Sequence, residues 1–501
     1  MTQPNSNSRE HTPIPIGPFS GGLNQLEDPR IIGDDQLAVC QNMDIGRSGE
    51  LMLRNGLREQ VSSSQIVKFI GMATKIDNTS RLYEYAATDG GVYYNDAPLS
   101  AGAYTFTLIQ AGQTERMVQY NNNVYIIPKG VTVGNAVGVG FSQNLSTNAT
   151  TSIPSMPRGS SGLIFKDRLF IFGRVDRTNI ATQRVYYSAA TDPTNWPAAN
   201  FFDVNVGDGE GVMAMISIQD TLIIFKRHST YVLFYDTDPG LGVLRKVNSQ
   251  IGATGSDAVV QFENGIFIID EKAIYRVQNL LFTDIGKNLN LRVRRITQTF
   301  SYDTLDQAFV FGNKIMFIIY TGRGAGINYE YYIYNTEIDA WTQYVFAFQP
   351  KRFFKAINTT SFEDFLCSND SINFGIFSPF RTDAGALGDG PGGGGAVPVL
   401  VKTKIYNVDR TSSYKRLFWW GMDIACNNTI NMTTFADSIA SAVATITGNG
   451  NVQFFKAFNS TRGRYLQFQI DSATAGQRLT VLPGVAHIGI KSSNMDNAAN
   501  L

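Results

Sequence analysis

The chain carries few residues able to do acid–base or metal chemistry. Its only histidines are His11, His228 and His487, too scattered for a His-rich metal cluster, and H-E-x-x-H is absent. His228, in FKRHSTYVLF, falls at a turn between strands and reads as a solvated or hydrogen-bonded structural histidine. Cys40, Cys367 and Cys426 are too far apart for a disulfide framework, a C-x-x-C or a metal-ligand spacing. There is no G-x-S-x-G elbow and no P-loop. GDGEG, residues 207–211, offers Asp203, Asp208 and Glu210 as oxygens for a cation. It lacks the twelve-residue calcium pattern with its closing Glu, so a turn is expected. LRVRR, 291–295, puts Arg292 and Arg294 on one strand face, suited to phosphate or to an interface. YKRLFWW, 414–420, mixes cations and aromatics as a nucleic-acid stacking platform does, but alternation sends Phe418 and Trp420 to one face and Trp419 to the other, which packing alone explains. Carboxylates from different blades could pair at glycosidase separation, which spacing along the chain does not reveal. We therefore expect no enzyme, no cofactor and no metal.

Composition points to a builder of interfaces. The 501 residues hold 42 Lys plus Arg against 42 Asp plus Glu, so no net field draws nucleic acid or an anionic membrane. Charged residues make up 17%, below the roughly 25% of ordinary soluble domains. Aromatics reach 12%, which suits half-buried strands and large protein–protein contacts. The N-terminal stretch MTQPNSNSREHTPIPIGPF has no apolar core of a signal peptide, and no run of ~20 apolar residues exists to span a bilayer. The expectation is synthesis in a cytoplasm without membrane insertion.

The elements that would carry these residues repeat. Two alternating apolar strands flank a tight polar turn in RMVQYNNNVYIIP, GLIFKDRLFIFG, AMISIQDTLIIFKRHSTYVLF, VVQFENGIFIIDEKAIYRV and AFVFGNKIMFIIY. The turn tips are Asn122, Asp167, Asp220, Asn264 and Asn313, in steps of 45, 53, 44 and 49 residues. Looser copies turn near Asn78 and Asn369. Asn and Asp tolerate positive φ, and period-two flanks make each copy a hairpin. A repeat of about 40–50 residues worth three or four strands is the mark of a β-propeller blade. The fold expected is all-β: a β-propeller of six or seven blades over 66–381, with a C-terminal antiparallel β-sandwich-like domain over 400–501. Two sandwiches with coincidental spacing are the alternative.

Between them TDAGALGDGPGGGGAVPV, 382–399, has no periodicity and reads as a flexible linker or exposed loop. Residues 1–16 are expected to form a disordered or extended arm. Residues 17–65 form a non-repeating lead-in, with a short helix expected over GDDQLAVCQNMD: Asp34 or Asp35 caps it, and Leu37, Ala38 and Cys40 to Gln41 share a face. Arg54 is placed to bind a carbonyl or a carboxylate.

The lead-in string FSGGLN…DPRIIGDDQLAVCQNMDIGRSGELMLRNG resembles the N-terminal signature of tail nozzle or tail tubular proteins of short-tailed bacteriophages, and of the related packaged-DNA stabilisation factors. The matching residues are Gly21, Gly22, Asn24, Pro29, Asn42, Gly49, Leu51, Arg54 and Gly56. The resemblance implies a structural virion protein: a homohexameric ring below portal and adaptor, with propellers around an exit channel. Such a ring retains packaged genome and passes double-stranded DNA without sequence specificity during ejection. Implied partners are further copies of the chain, the adaptor protein and tail fibres; the implied location is the virion tail. Two other functions stay open: a carbohydrate-binding or glycan-cleaving propeller, and a tail hub component of another phage type.

Overall fold

The computed structural model describes residues 11–61, 67–77, 79–86, 91–96, 107–110, 114–128, 139–173, 183–289, 306–320, 329–346, 350–357, 363–368, 373–377, 379, 389–391, 395–407, 415–458, 461–474 and 478–490. Five consecutive segments each make a four-stranded antiparallel sheet whose strands pair in chain order. Blade 1 starts with Val67–Thr74, blade 2 with Thr114–Tyr120, blade 3 with Ser161–Phe165, blade 4 with Val212–Ile218 and blade 5 with Val259–Phe262. Blade 6 runs from Gln307–Phe311 to Ala340–Tyr344. Blade 7 has three strands from 352–377 and takes its fourth from the lead-in: Asn373–Phe377 pairs antiparallel with Leu57–Val61. The first strands of successive blades neighbour one another around the ring, and Val67–Thr74 of blade 1 meets blade 7. The chain is thus a seven-bladed β-propeller closed by a strand that precedes blade 1.

The continuous apolar runs follow from blade stacking. The second strand of each of blades 2 to 6 is covered on both faces, so both of its alternating sets are buried. In Arg168–Phe172, Leu169 and Ile171 pack towards blade 2, while Phe170 and Phe172 pack towards blade 4. In Thr221–Lys226, Leu222 and Ile224 face blade 3 while Ile223 and Phe225 face blade 5. Blades 2 to 6 share two-residue first turns, at 121–122, 166–167, 219–220, 263–264 and 312–313. Positive φ falls mainly on the first position: Asn121, Gln219, Glu263 and Gly312, and on both Lys166 and Asp167. The left-handed residue is therefore usually the one before the expected tip. The tips expected near Asn78 and Asn369 lie outside the described residues.

The block expected to stand alone from residue 400 is corrected. Two sheets form a sandwich, and each combines lead-in and C-terminal strands. One sheet orders Val452–Phe458, Lys415–Cys426, Leu479–Ile490, Leu51–Leu53 and Met43–Ile45, with His11–Ile16 added on Leu479–Ile490. The other continues blade 6: Ala340–Tyr344 meets Gln36–Gln41 through Gln343 and Gln41, followed by Val399–Thr403, Leu466–Ser472, Thr429–Ala436 and Ile439–Thr447. The core between them includes Phe19, Leu51, Val401, Trp420, Met422, Phe468 and Val481. Lead-in strands cannot bury an apolar face by themselves, and the partner they use is more than 350 residues away, which local patterning does not reveal.

The expected helix over 34–42 is also corrected: Gln36–Gln41 is a strand. A β-bulge between Leu37 and Val39 shifts its register. It brings Leu37 and Cys40, three apart, to the same buried side, and so imitates helical spacing.

Stacked blades predict a specific cost. Phe170 is fully buried between Tyr187 and Tyr235, with ring centroids 5.9 and 6.3 Å away. Phe170→Ala should destabilise by about 3–5 kcal/mol, read as a lower urea midpoint at unchanged m-value.

Candidate functional site

Two of the signature residues, Asn42 and Arg54, meet at one junction. Asn42 stands where the chain leaves Gln36–Gln41 in one sandwich sheet for Met43–Ile45 in the other. It turns that corner at φ 59°, a left-handed conformation Asn tolerates better than most side chains. Its N–H donates to Gln343 O at 2.8 Å and its carbonyl accepts from Arg54 N–H at 3.1 Å. Its Nδ2 donates to Pro398 O at 2.6 Å, and its Oδ1 accepts from both Val345 N–H and Arg54 Nε at 2.7 Å.

Arg54 follows Leu51–Leu53 and precedes the strand that closes blade 7. Its side chain is completely buried, and each guanidinium nitrogen is engaged. Besides the Asn42 contact, Nη1 donates to Asn55 O at 2.8 Å and Asp389 Oδ1 at 3.0 Å. Nη2 donates to Val345 O at 2.7 Å and Asp389 Oδ2 at 2.8 Å. Phe346 lies under the guanidinium at 4.4 Å. Asp389 Oδ1 also accepts the Leu57 N–H at 2.7 Å. One ion pair thus fastens the end of blade 6 at Val345, the closing strand of blade 7 at Leu57 and the sandwich corner at Asn42.

Asp389 belongs to the glycine-rich stretch read as a linker. Its described parts are docked: Gly390 and Pro391 pair with Arg58 and Glu59, and Gly395 N–H donates to Asp389 O at 2.7 Å. Sequence reasoning expected a carboxylate or carbonyl for Arg54 but had no signal for Asp389, which shows no periodicity with its neighbours.

The other signature residues have structural places elsewhere in the lead-in. Gly22 has φ 68°, and a Cβ there would sit 2.8 Å from Trp341 N on the outer strand of blade 6. Gly49 has φ 78°, and a Cβ would meet Pro18 at 2.6 Å, which would break the Phe19 N–H to Gly49 O bond. Asn24 is buried; its Oδ1 accepts from Leu26 and Glu27 N–H, and its Nδ2 donates to Gln36 Oε1 at 3.0 Å. Gly21 N–H donates to Asp35 O, Pro29 O accepts from Ile405 N–H, and Leu51 and Gly56 are buried.

The other candidates resolve individually. In the 204–211 loop the oxygens that a cation would need surround an ammonium of the chain itself. Lys226 Nζ, fully buried, donates to Val204 O at 2.9 Å, Asn205 O at 3.2 Å and Asp208 Oδ1 at 2.5 Å. Burial alone would push the Asp208 carboxyl up, but the Lys226 bond holds it below its usual range. Asp203 is instead paired with Arg184 at 2.8 Å. His228 is not solitary: both ring nitrogens face carboxylates, Glu210 and Glu271. Trp420 is buried with its Nε1 on Thr434 Oγ1, while Trp419 faces outward, stacked on His487 at 4.2 Å with Lys456 Nζ 4.4 Å from its ring centre. Phe418 does not share the Trp420 face; a bulge between Leu417 and Trp419 gives that side to Leu417. Arg292 and Arg294 lie outside the described residues.

One face of the ring is bridged across its centre. Arg116 of blade 2 bonds Asp257 and, at 3.2 Å, Ser256, just before blade 5; Arg352 of blade 7 pairs with Asp257 at 3.6 Å. Burial would raise the Asp257 carboxyl, and the two guanidiniums hold it below its usual range. At the start of blade 6, Asp306 is 1% exposed; burial pushes its carboxyl up to about 6, which the Tyr320 amide and Thr254 hydroxyl offset only in part.

No protein-family model matches the chain, and no curated protein matches it. Among solved structures it is similar to a catalytically inactive virginiamycin B lyase from Staphylococcus aureus solved with quinupristin, at 9% identity and TM-score 0.41, over 64% of this chain and 98% of that one. It is similar to the Pan2 WD40 domain of Neurospora crassa at 7% identity and TM-score 0.39, over 62% and 89%. It is similar to an exo-beta-1,3-galactanase from Phanerochaete chrysosporium with galactose at 10% identity and TM-score 0.29, over 86% and 100%. Likeness at this level has no bearing on activity.

Two outcomes follow. Arg54→Ala strands a buried Asp389 carboxylate and should destabilise by about 3–5 kcal/mol, whereas an apolar pair replacing both residues should cost less than either single truncation, measured by urea unfolding. Asp306→Asn removes a carboxyl that charges at a cost in the folded state. That cost is absent below about pH 4, grows towards pH 6 and is complete above it. The variant should therefore be more stable by on the order of 2–3 kcal/mol at neutral pH and gain nothing below about pH 4, read from Tm against pH.

Proposed function

We propose that this chain is a non-catalytic structural protein of a short-tailed phage tail, of the nozzle type. In this reading it forms a homohexameric ring below the portal and adaptor, retains packaged DNA and passes it at ejection. The observation that carries the reading is the use of the signature residues. Asn42 and Arg54 have their polar groups bonded within the fold, and Gly22 and Gly49 are fixed by close approach. A signature built that way encodes an architecture that must be rigid, as a ring component is, and holds no group in reserve for a substrate.

Three further features agree with it. The Arg116–Asp257–Arg352 bridge spans the propeller centre, so a conduit for a duplex belongs between copies and not through the propeller axis. Large apolar side chains stand exposed on the outer strands of blades 4 and 5 (Val243, Leu281) and on the free sandwich edge (Ile439, Val443, Phe454, Phe458), material for contacts between subunits. Balanced charge suits a lumen that does not grip phosphate. Counting copies per particle by quantitative mass analysis of intact virions should give six, located between adaptor and host-facing tip. A copy number unrelated to a ring, or turnover of a glycan polymer by the purified chain, would overturn the proposal.

A further inference from the structure

His228 lies in the connection between the second and third strands of blade 4. Glu210 belongs to the loop that enters blade 4, and Glu271 to the corresponding connection of blade 5. Nδ1 of His228 contacts Glu210 Oε1, and Nε2 lies 3.2 Å from Glu271 Oε2. The His228 backbone N–H also donates to Glu210 Oε2 at 3.3 Å. A carboxylate only accepts, so an imidazole facing one on each nitrogen must carry both protons to bond both. We propose that Glu210–His228–Glu271 is a protonation-operated latch fastening the 204–211 loop to blade 5, closed by the imidazolium and released when it loses a proton.

The surrounding charges fit that assignment. Arg227 Nε bonds Glu271, so the closed cluster sets one guanidinium and one imidazolium against two carboxylates. Loss of the proton leaves one carboxylate uncompensated, and one ring nitrogen becomes an acceptor pointed at an acceptor. Asp208 and Lys226, from the same loop and strand, are paired with each other. Asp270, beside Glu271, is buried and accepts from the Gly252 and Lys272 amides, and burial pushes its carboxyl up. Burial of His228 works against its charge, but the bonds to Glu210 and Glu271 outweigh that and raise its pKa above the ordinary 6.5.

The release is local. The Lys226 grip on Val204, Asn205 and Asp208 involves no histidine and persists. Beyond it the loop has room to move: a Cβ built on Gly209 meets nothing within 4 Å. A group with a raised folded-state pKa contributes its full stabilisation below the unfolded value and loses it as pH rises through the folded value. The latch is therefore shut at acidic pH and opens on the alkaline side of 6.5.

Histidine ring resonances of the full chain, only three in number, provide the test. His228→Gln identifies the signal; should that variant not fold, His11→Gln and His487→Gln identify it by elimination. The His228 midpoint is expected above 6.5, and Glu210→Gln and Glu271→Gln should each lower it. Hydrogen exchange over 209–211, the part of the loop beyond the Lys226 grip, corrected for intrinsic pH dependence, should lose protection as His228 deprotonates in the wild type. A midpoint at or below 6.5, a midpoint indifferent to both Glu variants, or protection that does not follow the titration overturns the latch.

Discussion

The buried ion pair between Arg54 and Asp389 is the constraint on which the arrangement of this chain depends. Two charges removed from water stabilise a fold only when their remaining hydrogen-bonding capacity is met. Here the Arg54 donors reach Asn42, Asn55, Val345 and Asp389, and Asp389 also takes the Leu57 amide. The acceptors come from the sandwich corner, the end of blade 6 and a segment 335 residues downstream of Arg54. None of them is in place until the ring has closed and the sandwich has assembled. The junction therefore rewards only the complete structure, which ties propeller and sandwich into one cooperative unit.

Ring closure has the same logic. Blade 7 borrows Leu57–Val61 from the chain ahead of blade 1, so first and last blades are joined by backbone hydrogen bonds over more than 300 residues. The entropy of closing so long a loop grows only with the logarithm of its length, so one well-paired strand beside stacked aromatic faces offsets it. Phe353, Phe365 and Phe377 of blade 7 pack with Phe309 and Phe311 of blade 6, with Phe309 and Phe365 centroids 4.6 Å apart. Closure is thus by strand pairing on one side and by aromatic packing on the other.

Much of the propeller was legible because its cause is local. A hairpin needs two alternating strands and a residue that accepts positive φ, and both are written within a dozen residues. Stacking makes both faces of the second strands apolar, which is why Leu169 to Phe172 read as a continuous run. What was not legible has non-local causes. A bulge at Leu37–Val39 gave a strand the i, i+3 spacing of a helix. Leu51–Leu53 and Leu479–Ile490 pair across the length of the chain without any shared motif. Arg54 was recognisable as a guanidinium placed for a carbonyl or a carboxylate, but Asp389 sits among glycines whose pattern says only that the backbone is free. The carboxylates of the expected cation loop separate onto three cations of the chain itself: Asp203 onto Arg184, Asp208 onto Lys226 and Glu210 onto His228.

The distribution of polar joints separates what must hold from what has leave to move. Between blades the buried contacts are mainly apolar and close-packed, supplemented by polar links such as Tyr187 to Asp238 and Arg168 to Thr237 O. At the junction, Arg54 keeps its charge at any pH a protein experiences, so a bidentate Arg–carboxylate pair is a permanent fastening. On the face bridged by Arg116, Asp257 and Arg352, guanidinium again supplies the positive charge. At the entry to blade 4 the cation is an imidazole, the side chain whose ordinary pKa lies nearest neutral pH. An Arg at position 228 would have made that joint as lasting as the others, and a Gln would have made it weak throughout. A histidine between two glutamates makes the joint conditional, and it does so at a loop segment beyond the Lys226 grip, away from the closing strand and the Arg54 junction.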